Sequence, residues 1–162
     1  MTTDWLPALI LLAEHNGNWE SYLNALYAHF RRDFIESKPM FRNCHIGLKR
    51  HPVEAGKECT FWHFISEGLV EAERQINLRR CERVCWPRQM IEQESVRQLP
   101  VWEHFRGKER RIAISLPDFS YLLILAERST ERGLMYLPWT AYPIEHQHRR
   151  NKLKREWELN RI

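Results

Sequence analysis

Four apolar segments joined by short turns dominate the chain from residue 101 onward. Their sequences are VWEHF, RRIAISL, YLLILAER and GLMYLPWTAYP, and the turns between them contain RGKE, PDFS and STERG. Connections this short join antiparallel neighbours, whereas parallel strands need a long crossover. The pattern therefore predicts an antiparallel meander, in which YLLILA, apolar on both faces, is expected to be a central strand.

The last of these strands is expected to have two different faces, because side chains alternate along a strand. The apolar face is predicted to contain Met135, Leu137, Trp139 and Ala141. The opposite face is predicted to contain Tyr136, Thr140 and Tyr142. One side of the sheet would then pack on helices, and the other would present hydroxyl groups to solvent or to a ligand.

Helical periodicity is clearest near the N-terminus, in WESYLNALYAHFRRDFIE at residues 19–36. The apolar stripe of this segment comprises Trp19, Tyr22, Leu23, Leu26, Phe30 and Phe34. Asn18 is placed to cap the helix. The apolar residues 5–14 predict a shorter helix before it, and HNGN at 15–18 predicts the turn that separates the two.

The segment GKECTFWHFISEG, residues 56–68, is rich in aromatic residues, lacks proline and lies between glycines. We therefore expect a strand with His63 on one of its sides. The preceding FRNCHIGLKRHP is compatible with a strand or with an irregular segment that Pro52 ends. The polar residues 67–77 after it are expected to be exposed and either helical or loop-like.

The sequence RRCERVCWPRQMIEQ has two interpretations because it contains Pro87. A continuous helix is disfavoured, since the residue before a proline avoids the α region. We therefore expect a strand through Trp86 and a short helix that starts at Pro87. The C-terminal IEHQHRRNKLKREWELNRI predicts a basic helix that packs through Leu153 and Trp157.

Together these elements predict an α+β fold. N-terminal helices would pack on an antiparallel meander of about four to five strands, and a basic C-terminal helix would follow. We expect one domain over residues 1–162, with a helical front layer at 1–36 and an α+β core at 40–160.

The hydrophobic content of 43% over 162 residues is typical of a globular chain. The net charge of +4 and the pI of about 9.0 permit a polyanionic partner such as RNA, while an ordinary basic surface is the alternative. The N-terminal apolar run is too short to cross a membrane, and an acidic residue precedes it. We therefore expect a cytoplasmic protein without a membrane partner.

Four cysteines occur, Cys44, Cys59, Cys81 and Cys85. Buried thiols are the favoured interpretation in a cytoplasmic protein. A mixed zinc site of Cys59, His63, Cys81 and Cys85 is the alternative, although the usual zinc-ligand spacing is missing. The sequence also lacks a glycine-rich phosphate loop, G-x-S-x-G, H-E-x-x-H and a dinucleotide fingerprint, so neither a metal nor a cofactor is expected.

Histidine, arginine, threonine and tyrosine recur near the expected strand ends. These residues are His51, His63, Arg79, Arg80, Arg83, His104, Arg106, Arg128, Thr140 and Tyr142. Metal-free RNA cleavage needs these types, because a base takes the 2′-hydroxyl proton, an acid protonates the leaving 5′-oxygen, and cations and hydroxyls stabilise the phosphorane. Each residue also has a purely structural interpretation, such as a packed histidine or a surface arginine.

The order of elements, with KRHP at 49–52 and WTAYP at 139–143, resembles the barnase/EndoU/colicin/RelE-like nuclease superfamily, including its phage-associated and toxin-like branches. The resemblance covers roughly residues 40–160. It implies an RNA-cleaving face, to which His51, His63, Thr140 and Tyr142 would belong. An inhibitor protein of the antitoxin type is a further partner that this resemblance implies.

The leading hypothesis is a metal-independent, toxin-like ribonuclease. Its expected catalytic residues are His63, His51, Arg83, Thr140 and Tyr142. Its expected substrate-binding residues are Arg80, Arg128, Lys49 and Arg50. The alternatives are a non-catalytic nucleic-acid-binding or adaptor module that uses the basic C-terminal helix, and a zinc-stabilised interaction domain.

Overall fold

The structure is a computed structural model that describes residues 3–162. Its first long helix, α1 (Trp19–Arg31), continues into a wider π-helical turn at Arg32–Glu36. The Asn18 side chain accepts a hydrogen bond from the backbone of Ser21, so the predicted cap is confirmed. The predicted stripe is confirmed in large part, because Tyr22, Leu26 and Phe30 are fully buried.

The helix predicted at residues 5–14 is wrong for most of its length, since only Leu12–His15 forms a short 3₁₀ turn. The residues before it are bonded to later parts of the chain. The backbone N–H of Ile10 donates to the carbonyl of Glu82, and the Pro7 carbonyl accepts from the Trp86 indole. Backbone groups bonded in this way have no need of an internal helical ladder.

Two short strands follow, β1 (Met40–Phe41) and β2 (Cys44–Ile46), and then helix α2 (Cys59–Ile65). The strand predicted over residues 56–68 is therefore wrong. All residues of α2 except Trp62 are buried, and a short segment buried on every side shows neither helical nor strand periodicity. The first helical N–H groups, those of Cys59 and Thr60, donate to carbonyls of the preceding KRHP segment.

Residues 66–76 form an exposed excursion, which we name the 66–76 hairpin. It pairs β3 (Ser66–Glu67) with β4 (Gln75–Ile76) in antiparallel fashion around a 3₁₀ turn at Glu71–Glu73. The prediction of an exposed segment is confirmed. Its conformation is mainly loop, and it begins directly at the end of α2.

Helices α3 (Leu78–Glu82) and α4 (Trp86–Gln93) come next. The strand predicted through Trp86 is wrong, because three turn residues separate two helices there. The helix predicted at Pro87 is confirmed, and this proline lies in its first turn, where a missing N–H costs no hydrogen bond. Both Cys81 and Cys85 are buried, on helical rather than alternating spacing.

The meander predicted from residue 101 is confirmed as β5 (Val101–Arg106), β6 (Glu109–Ser115), β7 (Tyr121–Thr130) and β8 (Gly133–Pro143), each antiparallel to the next. The sheet is larger than predicted and mixed, because β2 adds parallel to β8 and β1 adds to β2. Its order over the described residues is β1-β2-β8-β7-β6-β5. Strand β7 lies inside the sheet, as expected.

A bulge in β8 overturns the predicted division of its faces. Leu125 of β7 pairs with Pro138 while Ile124 pairs with Thr140, so Trp139 is the extra residue. Proline has no N–H for the ladder, which makes this position suited to a bulge. Beyond it the alternation is reversed, and Ala141 lies on the buried face with Tyr136.

The two faces of the sheet pack against different helices. One face, with Ile112, Leu123 and Leu125, belongs to the large core formed with α1 to α4. The other face carries a smaller apolar cluster under helix α5 (Gln147–Asn160), in which Leu153 is buried and Trp157 packs at the edge. The predicted packing pair and the α+β class are thus confirmed. No helix within residues 3–162 is long and apolar enough to cross a membrane.

Candidate functional site

A cleft of about 700 Å³ opens on the second face of the sheet, beside the 66–76 hairpin. The residues that line it include His63, Glu67, Glu73, Arg74, Arg80, Arg106, Arg111, Trp139, Thr140 and Tyr142. A smaller cavity of about 130 Å³ continues it towards α5 and shares four of these residues, Arg106, Arg111, Thr140 and Tyr142. The cleft therefore lies where the second face is left uncovered by α5.

Arg80 lies at the floor of the cleft, on α3. The Asn77 side chain caps this helix by accepting from the Arg80 N–H. The Arg80 guanidinium donates to the Ser66 carbonyl at 2.7 Å and to the Thr140 hydroxyl at 3.2 Å. It also lies 4.8 Å from the centre of the Tyr142 ring. Burial, and then the charge of Arg74, lower the pKa of Arg80, so an anion bound here would relieve an unfavourable charge.

Arg74 forms the adjacent wall and holds the hairpin together. Its guanidinium donates to the Ser66 hydroxyl at 3.0 Å, to the Ser66 carbonyl at 2.6 Å and to the Gly68 carbonyl at 2.7 Å. Burial lowers its pKa as well. The guanidinium groups of Arg74 and Arg80 both donate to the Ser66 carbonyl, so both are held in place before any ligand binds.

The half-buried Trp139 ring, at the bulge, has three cations around it. Lys49 lies 4.8 Å, Arg111 5.0 Å and Arg128 5.7 Å from its centre. Arg111 and Arg128 also bind the Glu109 carboxylate. Burial alone would raise the pKa of Glu109, but the hydrogen bonds from these two arginines outweigh it and lower the pKa.

Two carboxylates, Glu67 and Glu73, are exposed at the hairpin side of the cleft. The Glu67 carboxylate lines the same cleft as the half-buried guanidinium groups of Arg74 and Arg80. A carboxylate in this position can accept a proton from a group bound beside the arginines.

His63 lies between the cleft and a cluster with Cys59 and Glu71. Its Nε2 is 2.9 Å from a Glu71 carboxylate oxygen and 3.6 Å from the Cys59 sulfur. Its Nδ1 is 3.3 Å from the Trp139 carbonyl. Burial lowers the pKa of His63 despite the opposing influence of Glu71, and burial raises that of Cys59. For Glu71, burial alone would raise the pKa, but the hydrogen bond with His63 and the nearby cations outweigh it and lower the pKa.

The predicted site residues fall into two groups. His63, Arg80, Thr140 and Tyr142, up to 79 positions apart in the chain, line one cleft. Lys49 joins them through its contact with Trp139.

The second group lies elsewhere. His51 is exposed in the loop between β2 and α2, and Arg50 faces Glu58 at 3.8 Å. Arg83 packs over Trp86 and donates to the Arg79 carbonyl. Arg128 adjoins Trp139 but donates to Glu109 at 2.6 Å. These four residues are outside the lining of the cleft.

Several lining residues were not selected from the sequence, namely Glu67, Glu73, Arg74, Arg111 and Trp139. Arg111 follows Arg110 at the start of a strand, and alternation alone could have placed one of the two on the open face. Trp139 was expected on the face that packs on helices, whereas the bulge brings Thr140 and Tyr142 to its side of the sheet.

The four-residue zinc site considered from the sequence is not formed. Cys81 donates to the Ile65 carbonyl at 3.8 Å, and Cys85 lies 3.8 Å from an Arg32 nitrogen. Burial raises the pKa of Cys81 to about 12 and that of Cys85 to about 11, as expected for buried thiols. Only Cys59 and His63 of that set adjoin each other, and Glu71 is their third neighbour.

Comparison of the chain with models of known protein families, with curated proteins and with solved structures gives no match.

Proposed function

We propose that the cleft binds RNA and cleaves it by attack of the 2′-hydroxyl on the adjacent phosphate, without a metal ion at the phosphate. The observation that carries the proposal is the convergence of Arg80, Thr140 and Tyr142 on the cleft floor, where Arg80 contacts both partners. The proposal also agrees with the nuclease superfamily that the sequence resembles.

Arg80 and Arg74 suit the scissile phosphate. Planar guanidinium groups bind phosphate oxygens in pairs, and they are already oriented by backbone carbonyls of the hairpin. The Thr140 hydroxyl, beside Arg80, supplies a further donor for the charge that develops on the phosphorane. Arg106 at the strand end and Arg149 on α5 extend the cationic surface for neighbouring phosphates.

Glu67 suits the role of proton acceptor better than His63 does. Both ring nitrogens of His63 already have protein neighbours, Glu71 and the Trp139 carbonyl. The Glu67 carboxylate is exposed and lines the same cleft as the phosphate-binding arginines. We therefore assign proton abstraction to Glu67, and to His63 the positioning of Trp139.

In the proposed reaction, one phosphorus–oxygen bond replaces another while two protons are transferred. Glu67 takes the proton from the 2′-hydroxyl, and the 2′-oxygen forms a bond to phosphorus while the bond from phosphorus to the 5′-oxygen breaks. The hydroxyl of Tyr142, whose ring lies beside Arg80, protonates the leaving 5′-oxygen. The products are a 2′,3′-cyclic phosphate and a 5′-hydroxyl end, and solvent returns the protons to their starting groups.

The decisive experiment incubates the purified full chain, without added Mg²⁺, with an RNA and with the same sequence carrying 2′-deoxyriboses. Only the RNA should be cut, and its fragments should end in 2′,3′-cyclic phosphate. Arg80→Ala and Glu67→Gln should each lower the rate by about 100-fold or more. Arg83→Ala is the matched control, because this guanidinium lies outside the cleft, and it should leave the rate unchanged. Cleavage of the deoxy substrate, or full activity of both cleft variants, would refute the proposal.

Binding without cleavage is the second candidate, and the position of Arg149 favours it because α5 carries this cation into the cavity beside the cleft. Removal of α5 is not a clean test, since Leu153 is buried beneath it. The exposed pair Lys152 and Arg155 can be changed to glutamate instead. Salt-sensitive RNA binding that falls at least 10-fold in this variant, with no cleavage by the wild type, would establish the binding module.

A further inference from the structure

A cluster of three metal-binding side chains lies at the junction of α2 and the 66–76 hairpin. The Cys59 sulfur, the His63 imidazole and the Glu71 carboxylate each place a ligand atom within 4.8 Å of the other two. Cys59 and His63 are one helical turn apart on the same face of α2, and Glu71 comes from the 3₁₀ turn of the hairpin.

The distances between the ligand atoms fit a tetrahedral cation. The separations are 3.6 Å between sulfur and Nε2, 2.9 Å between Nε2 and a Glu71 oxygen, and 3.9 Å between sulfur and the other oxygen. With zinc–ligand bonds of about 2.0–2.3 Å, the edges of a ligand tetrahedron are about 3.3–3.6 Å long. The distance of 2.9 Å lies below that range and the distance of 3.9 Å above it, so small side-chain movements would bring all three ligand atoms to tetrahedral separations.

The orientation of His63 favours a cation over a catalytic triad. A carbonyl oxygen only accepts hydrogen bonds, so Nδ1, which faces the Trp139 carbonyl, carries the ring proton. Nε2 then faces the carboxylate and the thiol together, so that it donates to Glu71 when protonated and offers its lone pair to a cation when it is not. In a cysteine–histidine–carboxylate triad the thiol and the acid would contact opposite nitrogens, whereas a metal-bound histidine keeps one nitrogen on the metal and donates the other to a carbonyl.

Nearby cations do not neutralise this cluster directly. Lys49 directs its ammonium to the Trp139 ring, and Arg74 donates to Ser66 and Gly68. Within residues 3–162, the Glu71 carboxylate forms side-chain hydrogen bonds with His63 and Cys59. Cys59 and His63 are buried, whereas half of the Glu71 side chain is exposed, which leaves a route for an ion from solvent.

We infer that Cys59, His63 and Glu71 bind one Zn²⁺ ion, or a similar thiolate-accepting divalent cation, that fastens the 66–76 hairpin to α2. Thiolate, imidazole and carboxylate are the donor set of zinc, and a deprotonated cysteine with a carboxylate matches a charge of two. The fourth position would be occupied by water on the exposed side. The hairpin carries Glu67 and Arg74, so the ion would stiffen one wall of the cleft. This inference does not depend on ribonuclease activity.

Zinc titration of the metal-free full chain tests the inference, with affinity measured by competition with a coloured chelator and stoichiometry by elemental analysis. One equivalent should bind. Glu71→Gln and Cys59→Ser should each weaken binding by more than about 100-fold, since even residues behind the ligands contribute 10–100-fold. Glu73→Gln, in the same turn, and Cys44→Ser are matched controls that should bind as the wild type does. Because Glu71 is exposed, its variant should fold even if Cys59→Ser does not.

Two further readouts identify the role of the ion. Co²⁺ in place of Zn²⁺ should give the charge-transfer absorption of a thiolate–cobalt bond, and Cys59→Ser should abolish it. Bound Zn²⁺ should slow amide hydrogen exchange in residues 66–76 at least 10-fold, but not in the sheet. Failure of the wild type to bind Zn²⁺, or equal binding by the Glu71→Gln variant, would overturn the inference.

Discussion

The two faces of the meander are built from the same strands but differ in what covers them. Towards α1 to α4, side chains such as Ile112, Leu123 and Leu125 are fully buried and apolar. On the other face, α5 covers only part of the surface, and Arg111, Thr140 and Tyr142 line an open cleft. The first face therefore contributes most of the hydrophobic core. The second face contributes less to the core and can hold polar groups for a ligand.

The largest effect is expected where the helix-covered face is densest. Phe30 is fully buried and contacts the rings of Phe34, Phe61 and Phe64. Phe30→Ala should lower the free energy of unfolding by about 3–5 kcal/mol, because it removes apolar contacts and leaves a cavity. Urea unfolding followed by tryptophan fluorescence measures the change. Trp19→Ala, at the exposed end of the same stripe, should cost under about 1 kcal/mol. Equal losses would contradict the assignment of the core.

Neighbouring residues of β8 give the sharpest contrast between the faces. Ala141→Val adds two methyl groups to a closed core and should destabilise the protein by about 1–3 kcal/mol. Thr140→Val keeps the shape of the side chain but removes the hydroxyl that contacts Arg80. It should slow RNA cleavage about 10-fold with little change in unfolding free energy. If the two variants exchanged these phenotypes, the bulge at Trp139 would be misplaced.

The ion pairs of Glu109 with Arg111 and Arg128, at the open face, should contribute less to stability. They should do so only at a pH at which Glu109 is charged. The folded-state pKa of Glu109 is lower than its ordinary value of 4.5, so its stabilising contribution is complete above that value and is lost as the pH falls through the lower folded-state pKa. Glu109→Gln should therefore cost about 1 kcal/mol at about pH 7. The difference from the wild type should shrink below the ordinary pKa. Urea unfolding of both proteins across this pH range measures the difference. A difference in unfolding free energy that does not change with pH would argue against the ion pairs.

The smallest effect concerns the end of α1, remote from both faces. Asn18→Ala removes the side-chain acceptor for the Ser21 N–H and should lower stability by about 1 kcal/mol or less. Asn18→Asp, which keeps an acceptor for the Ser21 N–H, is the matched control and should be about as stable as the wild type. A thermal unfolding series distinguishes the two. A loss of RNA cleavage in either variant would be unexpected, because α1 does not line the cleft.

Prediction from sequence succeeded where neighbours along the chain determine the structure. The meander follows from short turns, α1 from its stripe and its cap, and the basic α5 from its packing pair. It failed at α2, which is buried on almost every side, and at α3, whose five residues are too few to show a helical period. The parallel addition of β2 to β8 was also beyond sequence reasoning, because the partners lie about 90 residues apart.

The candidate site shows the same division. Thr140, Tyr142, Arg80 and His63 were selected because their chemistry suits phosphate, and the fold gathers them in one cleft. His51 and Arg83 were selected for the same chemistry but lie elsewhere. The type of a residue does not reveal where its side chain points. For these two residues the loop between β2 and α2 and the turn after α3 decide it.

By itself the sequence determined the class of the fold, the course of the C-terminal meander and the supply of cationic and hydroxyl-bearing side chains, since these depend on local periodicity and composition. Only the tertiary structure decided that a bulge brings Thr140 and Tyr142 to the face of Trp139, that Glu71 meets Cys59 and His63, and which arginines share one surface. The reason is physical, because a site requires distances between residues that are remote in the chain, and packing alone sets those distances.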